Sequence, residues 1–141
     1  MNVHISICIP VYNTEPYLVH CLESIVTQNF TGAIEVLVLS DASPGRDEKG
    51  WTAEKIVNAF KHTLNIRYME NSQNLALVES RRRLVNESHG DYIFMLDSDD
   101  FLPHGALSAL YEAAIKNDAD VVQGDIVTYD LQGKKSYRIN K

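Results

Sequence analysis

Two periods alternate along the chain. Short, largely β-branched apolar runs occupy residues 5–10, 35–39, 66–69, 92–96 and 121–124, and between them apolar side chains return at the three- and four-residue spacing of a helix face. This alternation predicts βαβ units, and so an α/β fold of three layers: a mostly parallel sheet with helices on both faces. Uninterrupted apolar runs such as Ile93-Phe94-Met95-Leu96 suit strands covered on both sides.

The first helix is expected to begin after Asn13-Thr14, a capping pair with Pro16 in the first turn, and to bury Leu18, Cys21, Leu22 and Ile25. A second helix carries Ile56, Val57 and Phe60, a third runs from about residue 75 to 88, and a fourth shows Leu107, Leu110, Tyr111 and Ala114. The polar stretch 43–50 follows the second strand and reads as a loop on the carboxyl edge of the sheet, where open α/β sheets bind their ligands. A single domain over residues 1–130 is expected, followed by a polar tail, 131–141, that frays.

With 141 residues, 45% of them hydrophobic and 23% charged, the chain matches ordinary globular usage and is expected to bury a real core. Its formal charge of −6 argues against nucleic acid as a partner, because phosphate-backbone binders need a surplus of Lys and Arg. An acidic protein that handles a polyanion must gather positive charge locally, from a metal ion or from a few placed arginines. The two cysteines, Cys8 and Cys21, fit no metal or redox motif and are read as buried thiols. The opening Met-Asn-Val-His has no basic leader, and no apolar run approaches the roughly 18 residues of a membrane span. A cytoplasmic location is therefore expected, with docking to the inner face of a membrane left open through regions outside this sequence.

The chemistry gathers at strand ends. Residues 92–96 run straight into Asp97-Ser98-Asp99-Asp100. Carboxylates this crowded raise one another's pKa unless a cation stabilises their charge, and a hard divalent ion suits them. Residues two apart project to the same side, so Asp97 and Asp99 can address one ion while Ser98 points away. Mg²⁺ or Mn²⁺ would bridge such a pair to a diphosphate. The blander reading makes Asp99 or Asp100 a cap for the helix starting near Pro103 and leaves the rest solvated.

Asp41 ends the second strand, where nucleotide-binding sheets place an acid for ribose or base; a local turn with Ser43 is the competing role. After the first strand comes Pro10-Val11-Tyr12-Asn13-Thr14-Glu15, with no G-x-G-x-x-G, which counts against a dinucleotide-dependent dehydrogenase. Arg81 falls in the middle of the helix face defined by Leu77, Val78, Leu84 and Val85, with Arg82 at its edge and Arg83 opposite. A guanidinium so placed needs an anionic partner, a phosphate, Asp97 or another sheet-end carboxylate, with a stem that snorkels to solvent as the competing reading. The five histidines show no metal-ligand spacing, and no Ser or Cys stands in a nucleophile-elbow context.

Taken together, Ile5-Ser6-Ile7-Cys8-Ile9-Pro10-Val11-Tyr12-Asn13, Cys21-Leu22-Glu23-Ser24-Ile25 with Gln28, Ser40-Asp41-Ala42-Ser43 and Gly90-Asp91-Tyr92-Ile93-Phe94-Met95-Leu96-Asp97-Ser98-Asp99-Asp100 resemble the family 2 glycosyltransferases, of the Rossmann-like GT-A fold. The resemblance spans about residues 3 to 125. It implies that Pro10, Tyr12, Asn13 and Glu15 border base and ribose, that Asp41 binds the base, and that Arg81 lies near the phosphates. It further implies that Asp97, Ser98 and Asp99 form the DxD motif, with Asp97 and Asp99 on Mn²⁺ or Mg²⁺ and Asp97 and Ser98 on the nucleotide-sugar.

The implied reaction moves a sugar from a nucleotide-diphosphate sugar, expected to be a UDP-sugar, to a carbohydrate or lipid-linked acceptor, with inversion. The family's catalytic base lies beyond the DxD motif and is expected past Lys141, so no residue here is assigned that role. Two departures bear on loop shape: Ser40-Asp41-Ala42-Ser43 stands where the family has Asp-Asp-Gly-Ser, and Asn74-Leu75-Ala76 where it has Asn-x-Gly. The rival classes are a nucleotidyltransferase, which would need a basic Gly-rich loop after the first strand, a non-catalytic nucleotide-binding module, and a phosphotransferase with an Asp nucleophile.

Overall fold

A computed structural model describes residues 2–130, 132, 133 and 135–138. Its main sheet has the strand order β3-β2-β1-β4, with every pairing parallel. The strands are β1 (Ile5–Val11), β2 (Ile34–Ser40), β3 (Ile66–Glu70) and β4 (Tyr92–Met95). They are linked through α1 (Glu15–Val26), α2 (Ala53–Ala59) and α3 (Ala76–Glu87), and α4 (Ala106–Lys116) follows β4. All seven residues of β1 are buried, as a central strand covered on both faces requires.

The alternation of side chains along β1 divides the core in two. Ile5, Ile7, Ile9 and Val11 pack with Leu18, Cys21, Leu22 and Ile25 of α1, Ile56 and Val57 of α2, and Leu107 of α4. Cys8 faces the other way, with Leu37, Leu39 and Leu84 of α3. The result is the expected three-layer α/β architecture. Because every strand of the main sheet is parallel, their carboxyl ends and the loops after them share one edge.

Three expectations are corrected. Residues 121–124 form no strand, and Val121 is 83% exposed; the next strand is β5 (Ile126–Tyr129), which pairs antiparallel with β6 (Lys135–Arg138) in a separate sheet. The reason is turn chemistry: Gly133 N donates to Asp130 O, and Gly133 takes a φ of +79°, so the chain closes a hairpin here. Part of the tail expected to fray is therefore β6, while residues 131, 134 and 139–141 lie outside the described residues. Finally, the apolar run of β4 is not covered on both sides, since β4 is an edge strand and Ile93, beside Ser6 in the register, is 43% exposed. Among the described residues, no helix is long and apolar enough to cross a membrane.

Candidate functional site

A cleft of about 460 Å³ opens at the carboxyl edge of the sheet. Pro10 at the end of β1 and the loops after β1, β2 and β4, with Tyr12, Asp41, Asp97, Ser98 and Asp99, form its lining, and Leu77 and Ser80 of α3 complete one wall. Left-handed backbone recurs around the cleft, with Asn13 at φ +55° and Ala42 at +52° in the loops after β1 and β2, and Ala76 at +68° at the start of α3. Each is a non-glycine residue in a conformation that L side chains seldom adopt, and such strain tends to collect where a loop shape is needed for function.

The acidic segment is a tight turn rather than an extended strand end: Asp100 N donates to Asp97 O at 3.0 Å. Ser98 is buried, and its hydroxyl is hydrogen-bonded to that of Thr14, so the residue expected to cap α1 instead joins the β1–α1 loop to the acidic turn. Asp97 receives Arg81 Nη2 at 3.1 Å on Oδ1. Asp99 and Asp100 are exposed. Partial burial, and then the charges of Asp99 and Asp97, push the Asp100 carboxyl up from its ordinary value. The same acids contribute, after burial, to raising the Cys21 thiol to about 12, which leaves it protonated and unreactive beneath the turn.

No group of three or more His, Cys, Asp and Glu side chains forms a ready cluster for a metal among the described residues. The oxygen-only pair Asp97 and Asp99 does suit a hard divalent ion that takes most of its shell from phosphate and water. Asp99 makes no hydrogen bond or ion pair to another described residue, and so is available as a ligand.

Asp41 is buried, and its side chain makes no local turn. Its Oδ1 accepts Leu75 N at 2.7 Å and Asn71 Nδ2 at 2.9 Å, both from the segment leading into α3. Glu15 sits beneath the cleft instead of in it. It is 1% exposed, its Oε1 accepts from the Ser43 hydroxyl, and its Oε2 has no partner. Ser43 also accepts Asn13 N at 2.9 Å, so the loops after β1 and β2 are tied through one hydroxyl. A Cβ on Gly45 would lie 2.0 Å from Glu15 Oε2, so any larger residue where the 43–50 loop crosses the buried acid would have to displace that carboxylate.

The face of α3 differs from its apolar pattern. Ser80 and Leu84 are the buried residues, while Val78 is 75% exposed and Leu77 and Val85 are about half exposed. The helix turns a small polar residue inward because Ser80 Oγ accepts Asn71 Nδ2 at 3.1 Å, an interaction that apolar periodicity does not register. Arg81 stays at the margin of this face and finds Asp97, one of the partners weighed for it. Arg83 does not point away: its Nη1 donates to Asn71 Oδ1 at 2.8 Å and to Glu70 O at 2.9 Å. Asn71 was absent from the residues singled out in the sequence, and Arg83 was placed opposite the apolar face; the one available signal was that Asn71 directly follows a strand on the ligand-binding edge.

The family model "Glycosyl transferase family 2" matches residues 6–141. A glycosyltransferase of Streptococcus pneumoniae, GlyG, is 32% identical over 131 residues, which cover 92% of this chain and 41% of that protein. The poly(ribitol-phosphate) beta-glucosyltransferase of Bacillus spizizenii is 30% identical over 86% of this chain and 19% of its own length. Among solved structures, a fragment of S. aureus TarS in complex with UDP matches with a TM-score of 0.75 at 23% identity, over 84% of this chain and 34% of that one. A Pyrobaculum calidifontis mannosyltransferase in complex with GDP-Man and Mn²⁺ matches with a TM-score of 0.66 at 19% identity, over 89% of this chain and 35% of that one. The chain thus spans less than half the length of each of these four proteins.

Proposed function

On the premise that the chain belongs to glycosyl transferase family 2, we propose that it is the donor-binding portion of a metal-dependent enzyme that transfers a sugar from a nucleotide-diphosphate sugar, with inversion. The observation that carries this reading is the meeting of Tyr12, Asp41, Asp97 and Asp99, from three separate loops, around one cleft. Tyr12 offers an aromatic face and Asp41 a held carboxylate to the nucleoside. Asp97 and Asp99 are the residues that would hold Mn²⁺ or Mg²⁺ against the diphosphate. When bound, the ion supplies charge neutralisation to the departing diphosphate. Arg81, already on Asp97, adds a fixed positive charge at the same end of the cleft.

A UDP-sugar is our preferred donor, supported by fold neighbours bound to UDP or UDP-GlcNAc; the GDP-Man complex keeps a guanine nucleotide as the comparison. The acceptor in this reading is a carbohydrate or lipid-linked chain, met on the cytoplasmic side of a membrane. No residue of the cleft is assigned to bind that acceptor or to take its proton, and we place the base in sequence beyond Lys141.

Calorimetry with UDP and GDP, with and without Mn²⁺, on wild type and Asp99→Ala tests the proposal. Binding of one nucleotide that requires the metal and weakens in the variant is expected. Nucleotide binding indifferent both to the metal and to Asp99 would sink it.

A further inference from the structure

The Asp41 carboxylate is oriented from behind. A carboxylate oxygen offers about two acceptor positions, and those of Oδ1 are taken by Leu75 N and Asn71 Nδ2. Asn71 is buried, and its backbone N donates to Ser40 O at 2.9 Å, which seats it beside the end of β2. A primary amide, however, can face a carboxylate with either end, and with its oxygen forward it would repel.

Arg83 removes that ambiguity. A guanidinium carries donors and no acceptor, so the amide atom 2.8 Å from Arg83 Nη1 has to be Oδ1. Arg83 is itself anchored on Glu70 O, at the end of β3. The amide NH₂ is then committed to Asp41 and to Ser80 Oγ. Neither Asn71 nor Arg83 lines the cleft.

We infer that Asn71 and Arg83 are positioning residues for nucleobase selection: they occupy Oδ1 of Asp41 and fix the carboxylate so that Oδ2 is presented to the cleft as a directional acceptor for a base N–H. The inference rests on the nucleotide-sugar reading and deepens it. It assigns the site to bases that carry a ring N–H, such as uracil or guanine, over those whose equivalent ring nitrogen is an acceptor, such as cytosine or adenine.

The test is a set of titrations in Mn²⁺ with the pair UDP and CDP and the pair GDP and ADP, on wild type, Arg83→Met, Arg83→Lys and Asn71→Leu. Wild type should prefer the member of one pair that carries the ring N–H. Arg83→Met and Asn71→Leu should weaken that nucleotide about tenfold, the worth of one net hydrogen bond, and leave its partner unchanged. Arg83→Lys, which keeps a donor, should recover most of the preference. Equal losses for both members of the pair, or no loss in Arg83→Met, would overturn the inference, as would a wild type that binds nucleotides without preference. Arg83 is only partly buried, so Arg83→Met decides the matter even if Asn71→Leu does not fold. A wild type that binds no nucleotide would bring down the functional reading itself, and this inference with it.

Discussion

Arg81 Nη2 lies 3.1 Å from Asp97 Oδ1, joining α3 to the acidic turn after β4, while Arg81 Nε is buried with no partner. Both side chains of the pair are roughly half exposed, at 40% and 48%. Exposed ion pairs contribute about 0–1 kcal/mol, so the fold gains little from this one. What the pair does secure is a guanidinium held at the mouth of a cluster of three acids.

Arg81→Met is therefore expected to lower stability by less than about 1 kcal/mol in chemical denaturation. Affinity for a nucleoside diphosphate with Mn²⁺ should fall on the order of ten- to a hundredfold, the range for a lost charged hydrogen bond. A large loss of stability with unchanged affinity per folded molecule would make Arg81 structural.

Tyr12 is 50% exposed on the wall of the cleft, so its ring adds little to the core. Stacking of a base on an aromatic ring is worth about 1–3 kcal/mol by alanine substitution. Tyr12→Ala should weaken nucleoside diphosphate binding by at least about fivefold at little cost in stability, while inorganic pyrophosphate with Mn²⁺ binds as before. Parallel losses for both ligands would show that Tyr12 shapes the loop rather than meeting the base.

Ala42 and Ala76, the positions at which the family resemblance implies glycine, both take the left-handed backbone, at φ +52° and +68°. A left-handed L residue costs roughly 1 kcal/mol, so Ala42→Gly and Ala76→Gly should each stabilise the fold by about 0.5–1 kcal/mol, partly offset by the greater freedom of glycine in the unfolded chain. Urea unfolding of the two variants measures this, and destabilisation in both would mean that neither loop holds the conformation described here.

These particulars show what was legible in the sequence. Asp97, Ser98 and Asp99 could be read because strand, turn and acids are contiguous, and Asp41 because it ends a clear apolar run. The clamp behind Asp41 could not be read. It joins residues 30 positions apart through Asn71 and depends on the rotation of α3, which was assigned to its apolar residues while the helix seats itself through Ser80 and Leu84. The hairpin of β5 and β6 escaped notice for a similar reason: the apolar pair Val121-Val122 outweighed the turn residues Asp130 and Gly133 that decide the local pairing.

The opposite end of the sheet gives a prediction that should leave the cleft untouched. Glu35 is the second residue of β2, far along the strand from Asp41, and accepts hydrogen bonds from Ser6 Oγ and His89 N, both at 2.6 Å. Burial alone would raise its pKa, but the hydrogen bonds from Ser6 and from His89, together with the His89 charge, hold the carboxyl below its ordinary value. With the folded pKa below the unfolded one, the carboxylate stabilises the fold above the unfolded pKa, and that contribution is lost as pH falls through the folded pKa. Glu35→Gln should thus cost about 1–2 kcal/mol at neutral pH, a difference that closes in acid, with nucleotide affinity per folded molecule unchanged. Urea unfolding of wild type and variant across a pH series reads it directly. A gap that stays constant down into acid would mean that the network acts through shape rather than charge.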